Sequence, residues 1–152
     1  MGSLCSRQYL QMLMPSMTDT IYQAQLMDHF RQPRNKASTA DASITAEGFN
    51  ANCGDKVKLG LFIDGQTISS IKYQIRACAI CTASTSIMSE QLTGKTFSQA
   101  KKLINQIKVS VKTNAAWPQH CEALSGPAVS INRHKCILLG WQACEDALKQ
   151  MA

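Results

Sequence analysis

Val57-Lys58-Leu59-Gly60-Leu61-Phe62-Ile63-Asp64-Gly65 carries an apolar side chain at every second position, Val57, Leu59, Leu61 and Ile63, and then stops at Asp64-Gly65. A period of two puts those four side chains on one face of a strand, and Asp-Gly is a strong signal for a tight hairpin turn. The chain then returns with Ile71, Tyr73 and Ile75 alternating against Lys72, Gln74 and Arg76. The pattern predicts an antiparallel hairpin with one packed face and one wet face. Such a hairpin brings the residues before its first strand and those after its second to the same end of the sheet. Cys53 precedes it and Cys78 comes after it.

Just before the hairpin stands Asn50-Ala51-Asn52-Cys53-Gly54-Asp55, read as the junction between a loop and the alternating strand. A thiol and a carboxylate lie two residues apart there, around a glycine that lets the backbone turn tightly. Cys53 and Asp55 therefore read as two ligands of one site, with Cys78 and Cys136 as further thiols that a fold could bring to it. Three thiolates and a carboxylate make a compact set for zinc, or for iron and sulfide. Cys136 falls at the start of the last predicted helix, next to Arg133 and Lys135. Helix dipole and neighbouring cations are expected to lower its thiol pKa toward neutrality, so Cys136 is read as the sulfur nucleophile.

The other cysteines read differently. Cys144 lies on the apolar stripe of the last helix and is assigned to the core. Cys81 forms Cys78-x-x-Cys81; it is read as filling the first helical turn, with a spare ligand or a resolving thiol as alternatives. His120-Cys121 is set aside as a ligand pair because no comparable helix comes after it.

Around the hairpin the chain is helical. Thr20-x-x-Gln23 has the form of a capping box before a stripe of Tyr22, Leu26 and Phe30, and His29 and Asp28 lie off that stripe as surface or packing residues. Ser43 to Glu47 is a weak strand candidate. A helix is predicted over Thr82–Leu92. Another begins at the capping box Thr96-x-x-Gln99 with the stripe Phe97, Ala100, Ile104, Ile107 and Val111. Residues 112–135 are broken, with one helical turn around Glu122 to Leu124, before a last helix carrying Ile137, Trp141, Cys144, Leu148 and Met151. Residues 1–17 are expected to be a disordered extension and residues 18–152 a single domain. The extension matches an N-myristoylation pattern at Gly2 and Ser6, with Cys5 as a second acylation site, a pattern short enough to arise by chance.

Composition narrows the function. The chain has 152 residues, of which 45% are hydrophobic and 17% charged, and no apolar run approaches a membrane span. A net charge of +6 arises from scattered lysines, and 6% aromatics argues against a nucleic-acid surface. A basic face that meets an acidic protein remains open. Seven cysteines, an odd number without a recognisable secretory signal, point to a reducing, cytoplasmic setting and to metal or sulfur chemistry instead of disulfides.

Four stretches together resemble the U-type iron–sulfur cluster assembly proteins, the IscU, SufU and NifU N-terminal group. They are Met27-Asp28-His29-Phe30 with Pro33-Arg34-Asn35; Asn50 to Asp55; Cys78-Ala79-Ile80 running into Ala83-Ser84-Thr85-Ser86; and Arg133-x-Lys135-Cys136 before Trp141. The likeness covers nearly the whole chain from about Thr20. It is nearest to the SufU branch, with its extra segment between Cys78 and Cys136 and a lysine directly before the latter. The chain departs from the family at Ala51, where proline is usual, at Ala77, where glycine is common, and at Cys81, where the SufU branch usually has serine. The resemblance implies an α+β fold, a three-stranded antiparallel sheet with helices packed on one face. It also implies a site of Cys53, Asp55, Cys78 and Cys136 holding zinc, or alternatively iron or a [2Fe-2S] cluster. The implied partners are a cysteine desulfurase and downstream recipient proteins, with no nucleic acid and no membrane. The implied roles are persulfide acceptor at Cys136 or cluster scaffold, and whether the chain counts as an enzyme stays open. A structural zinc-binding interaction module is the alternative from another class.

Overall fold

The computed structural model describes residues 17–151. In chain order they form α1 (Met17–Arg31), β1 (Ile44–Asn50), β2 (Asp55–Asp64), β3 (Thr67–Arg76), α2 (Ala79–Leu92), α3 (Phe97–Thr113), three short 3-10 turns over 122–133, and α4 (His134–Lys149). The strands make one antiparallel sheet in the order β1-β2-β3, so the fold is α+β with the expected sheet. The hairpin turns where the alternation stops: Asp64 pairs with Thr67, and Gly65 takes φ 62°. Val57, Leu59, Leu61, Ile71 and Tyr73 are buried on the inner face. Each aliphatic side chain among them is worth about 1.5–3 kcal/mol when buried. A one-residue slip would turn all of them outward, so the register is strongly held.

α4 packs against β1 and β2, and α2 lies between α4, α1 and β3. The last helix keeps to its predicted stripe: Ile137, Trp141, Cys144 and Leu148 are buried, while Met151 stays 38% exposed beyond the helix end. α2 is enclosed on every side, from Cys81 to Ser89. Its hydroxyls therefore need internal partners. Ser84 donates to the Ile137 carbonyl at 2.6 Å and accepts from Trp141 Nε1 at 3.0 Å. Thr85 donates to the Cys81 carbonyl at 2.8 Å. Gly140 on α4 faces Thr85 so closely that a Cβ there would stand 2.6 Å from Thr85 Oγ1. α3 starts at the predicted capping box, with Thr96 Oγ1 accepting from the Gln99 N–H at 3.2 Å and Gln99 accepting from the Thr96 N–H at 3.1 Å.

Four local readings change. α1 already includes Met17, so Thr20 and Gln23 lie inside the helix and do not cap it. On that helix Leu26 is buried and Tyr22 packs on the core, but Phe30 is 39% exposed, because α1 lies outside α2 and only one line of its side chains reaches inward. β1 runs on to Asn50, and residues 51–54 form the tip of a second hairpin instead of a loop junction. The sequence hides this because β1 is an edge strand with Gly48 at its packed face, where a Cβ would meet Leu139 at 3.1 Å. α2 begins at Ala79, three residues before the predicted start, with Cys78 as its N-cap.

The segment from Lys36 to Ser43 passes from the β3 edge to β1 over the outer face of the sheet. The Ala37 N–H donates to the Tyr73 carbonyl at 3.0 Å, and the Ser43 N–H to the Leu61 carbonyl at 2.9 Å. Gly60 lies beneath it, where a Cβ would stand 2.7 Å from that of Ala42. Helices thus cover the inner face and this strap covers one end of the outer face. Among the described residues, no helix is long and apolar enough to cross a membrane. Gly2, Cys5 and Ser6, with the rest of residues 1–16, lie outside the described residues.

Candidate metal centre

Three chain turns meet at the end of the sheet away from Asp64-Gly65. The β1–β2 hairpin closes with Asn50 paired to Asp55. Gly54 takes φ 69° there, which glycine adopts without a Cβ penalty. This turn presents Cys53 at the exposed tip and turns Asp55 inward, 1% exposed. α4 brings Cys136 to the same place at its third residue, fully buried. Donor atoms of Cys53, Asp55 and Cys136 all lie within 4.8 Å of one another. The two Sγ atoms are 3.9 Å apart. Two thiolates on a tetrahedral zinc with bonds of about 2.3 Å stand about 3.8 Å apart, so this spacing fits the donor set to such an ion.

Cys78 stands outside that triplet but in direct contact with it. Its N–H donates to Asp55 Oδ1 at 2.9 Å, and its Sγ is 3.7 Å from Asp55 Oδ2. A thiolate and a carboxylate oxygen on one tetrahedral zinc stand about 3.6 Å apart, so Cys78 is already at a ligand's distance from Asp55. As N-cap of α2, its sulfur also accepts from the Cys81 N–H at 3.5 Å. The sequence-predicted residues are thus placed by three separate elements, with the Asp55 carboxylate joining Cys78 to the hairpin.

One electrostatic expectation is corrected. Helix dipole and neighbouring cations were expected to lower the Cys136 thiol, yet in the metal-free protein it is pushed up to about 12. Burial is the main cause, with the charge of Cys78 next and then hydrogen bonding to Cys53, Cys78 and Asp55. Arg133 and Lys135 point to solvent and do not offset this. Cys81 is fully buried directly behind the site, hydrogen-bonded to Thr85, and burial raises its thiol further, with Asp55, Cys78 and Cys136 adding to the effect. Cys144 is a core residue, pushed up to about 12 by burial. Cys121 is equally enclosed, while His120 beside it is exposed, with a φ of 71°.

A second polar cluster was not read from the sequence. His29 Nδ1 pairs with Ser86 Oγ at 2.8 Å, and the Arg34 N–H donates to the same oxygen at 2.9 Å. Asn35 Nδ2 donates to Ser89 Oγ at 3.0 Å, and Arg34 forms an ion pair with Asp28. These bonds tie α1 and the turn after it to the hydroxyl face of α2. They account for the Asp28-His29 and Pro33-Arg34-Asn35 stretches as structural fastening. The signal for it was the Ser84-Thr85-Ser86 run, whose hydroxyls need partners once the helix is buried.

Comparison with known proteins agrees with this architecture. The NifU-like N terminal domain model matches residues 21–151. A zinc-dependent sulfurtransferase SufU from Bacillus subtilis is 32% identical, over 86% of this chain and 90% of that protein. An iron–sulfur cluster assembly scaffold protein IscU from Streptococcus pyogenes is 30% identical, over 87% of this chain and 85% of its own. Among solved structures, a candidate cluster assembly scaffold protein for the SUF system from Fervidobacterium islandicum superposes with a TM-score of 0.77 at 29% identity, covering 85% of this chain and 97% of that one. A NifU-like N-terminal protein from Brucella abortus shares the fold, with a TM-score of 0.80 at 21% identity over 90% of this chain and 97% of that one. By sequence and by fold the chain belongs to the NifU-like N-terminal domain family, alongside the SufU and IscU proteins.

Proposed function

We propose that this protein is a SUF-type iron–sulfur cluster assembly protein in which Cys53, Asp55, Cys78 and Cys136 hold a zinc ion and Cys136 accepts sulfane sulfur from a pyridoxal-dependent cysteine desulfurase. The observation that carries this reading is the convergence of Cys53, Asp55 and Cys136 within 4.8 Å, with Cys78 on Asp55. Zinc bound there supplies the charge that keeps its thiol ligands deprotonated. The protein's own residues supply the rest. Cys136 Sγ forms a bond to the outer sulfur of the desulfurase persulfide, and the persulfide S–S bond breaks with its electron pair leaving on the desulfurase cysteine, so no net electrons move. Exposed Cys53 leaves one side of the site open, which suits exchange better than a closed structural zinc site does. The oxygen of Asp55 is a harder and more exchangeable ligand than a fourth thiolate. Residues 18–152 are the working unit in this reading, in a reducing cytoplasm, and downstream recipient proteins take what it assembles.

Kinship with IscU scaffold proteins favours a second reading, assembly of a [2Fe-2S] cluster on the same four residues. Metal analysis of protein purified without oxygen separates the two. About one zinc per chain without colour supports sulfur acceptance, whereas equal iron and acid-labile sulfide with visible absorption supports the scaffold. Incubation with desulfurase and cysteine should add about 32 mass units, one sulfur atom, to the parent and to Cys81→Ser but not to Cys136→Ser. A parent that gains no sulfur and never exchanges its metal is a structural zinc module.

A further inference from the structure

The outer face of the sheet is uncovered at the end next to the site, and its residues line up in rows. In the ladder Phe49 pairs with Lys56, and Lys56 with Arg76. All three are exposed, Phe49 by 67%. In the next row Glu47 pairs with Lys58, and Lys58 with Gln74, so that lysine faces an acid directly across the strands. Lys56 and Arg76 have no such neighbour. Asp55, beside Lys56 in sequence, is turned inward onto Cys78. Two cations directly opposite each other oppose sheet formation, and neither has an ion pair among the described residues. A shallow groove of about 270 Å³ runs between Lys56, Arg76 and Glu47. On the other side of Phe49, Lys135 closes a second groove of about 320 Å³ with Asn52, next to the Cys53 tip. An exposed phenyl ring is thus flanked by cations on both sides, one residue from the turn that carries Cys53.

We infer that Phe49, Lys56, Arg76 and Lys135 form the docking surface for the protein that delivers sulfur to Cys136, and that this partner meets it with a carboxylate-bearing face and an apolar socket. The inference rests on the sulfur-acceptor reading above and adds the chemistry of recognition to it. Charge of one sign around the entry speeds the encounter with an acidic partner and makes it salt-dependent, while the phenyl ring supplies the apolar anchor that such interfaces use.

The test uses the full chain with a SUF-type cysteine desulfurase and cysteine, tracking the initial rate of sulfur gain on Cys136 and, separately, binding of the desulfurase. Arg76→Glu is the informative variant, because it places opposite charges at the Lys56 pair. It should raise the unfolding midpoint, leave metal content unchanged, and slow sulfur gain about tenfold or more at low salt. Phe49→Ala should weaken binding, while Lys112→Glu on α3 should leave both rate and binding at the parent values. Raising salt from about 50 to about 500 mM should slow the parent and barely affect Arg76→Glu. A parent that gains sulfur at a salt-independent rate, or an Arg76→Glu protein as fast as the parent, overturns the docking surface and leaves the acceptor reading standing. A parent that gains no sulfur at any salt overturns both.

Discussion

Asp55 holds two positions at once. One carboxylate oxygen accepts the Cys78 N–H at 2.9 Å, and the side chain completes the donor triplet with Cys53 and Cys136. Asp55→Ala removes the exchangeable oxygen, so release of metal or cluster should slow. Transfer from a loaded Asp55→Ala protein at the parent rate would show that the carboxylate has no part in release. Cys81 is the contrasting case. It belongs to the same helical turn as Cys78, but it is enclosed and its thiol is driven well above the ordinary range by burial. Burial raises the Cys136 thiol as well, but its donor atom lies within 4.8 Å of those of Cys53 and Asp55, where a bound cation would hold it as thiolate, whereas Cys81 has no place in that triplet. In the mass measurement above, loss of sulfur gain in Cys81→Ser with retention in Cys136→Ser would move the chemistry to Cys81.

At the scale of elements, α4 sets the position of Cys136 through its crossing with α2. Alanine is favoured over glycine in a helix by about 1 kcal/mol. At Gly140, however, the added Cβ would stand 2.6 Å from Thr85 Oγ1. Overpacking costs about 1–3 kcal/mol, so Gly140→Ala should lose about 1 kcal/mol net. Urea unfolding of Gly140→Ala with and without Thr85→Ala checks this, since the second substitution removes the atom in the way and should recover part of the loss. α3 is joined to α4 by Lys108 and Glu145 at 2.6 Å. The hydrogen bond and charge of Lys108 hold the Glu145 carboxyl below its usual range. The folded state therefore favours the ionised form, and its contribution is fully present above the unfolded carboxylate pKa and lost as pH falls through the lower, folded value. Glu145→Gln should cost about 1 kcal/mol or less at pH 7. The difference from the parent should vanish in acid, and an unchanged difference there would remove this pair from the account.

Across the whole molecule, one ion held at the site would tie the β1–β2 hairpin, the start of α2 and the start of α4 together. A ligand that binds only the folded chain stabilises it in proportion to RT ln(1 + [L]/Kd), about 2.7 kcal/mol at a hundredfold excess over Kd. Chelation should therefore lower the thermal midpoint of the parent and leave Cys53→Ser/Cys136→Ser nearly unmoved. Equal shifts in both would mean that the metal is held elsewhere.

The central hairpin was legible because its signal is local. Alternation from Val57 to Ile63, an Asp-Gly turn and a returning alternation specify both strands and their register, and with them the return of Cys53 and Cys78 to one end. The stripe of α4 and the capping box of α3 are local in the same sense, as was the donor chemistry of Cys53, Asp55, Cys78 and Cys136. What the sequence left open depends on contacts distant along the chain. β1 is an edge strand that the sequence offered only as a weak candidate over Ser43 to Glu47, so its extension to Asn50, and the Phe49, Lys56 and Arg76 row, needed the sheet register. The acidity of the metal-free Cys136 thiol was misread because the positive helix terminus is a neighbour in sequence, whereas burial and the adjacent thiols and carboxylate are neighbours only in space. Local patterning by itself determined the central strands and helices and the candidate donor types, since strand and helix periods are properties of nearby residues. The tertiary structure alone decided which donors meet, how far they are from water and which face is left bare, because proximity, desolvation and coverage are made by residues far apart in the chain.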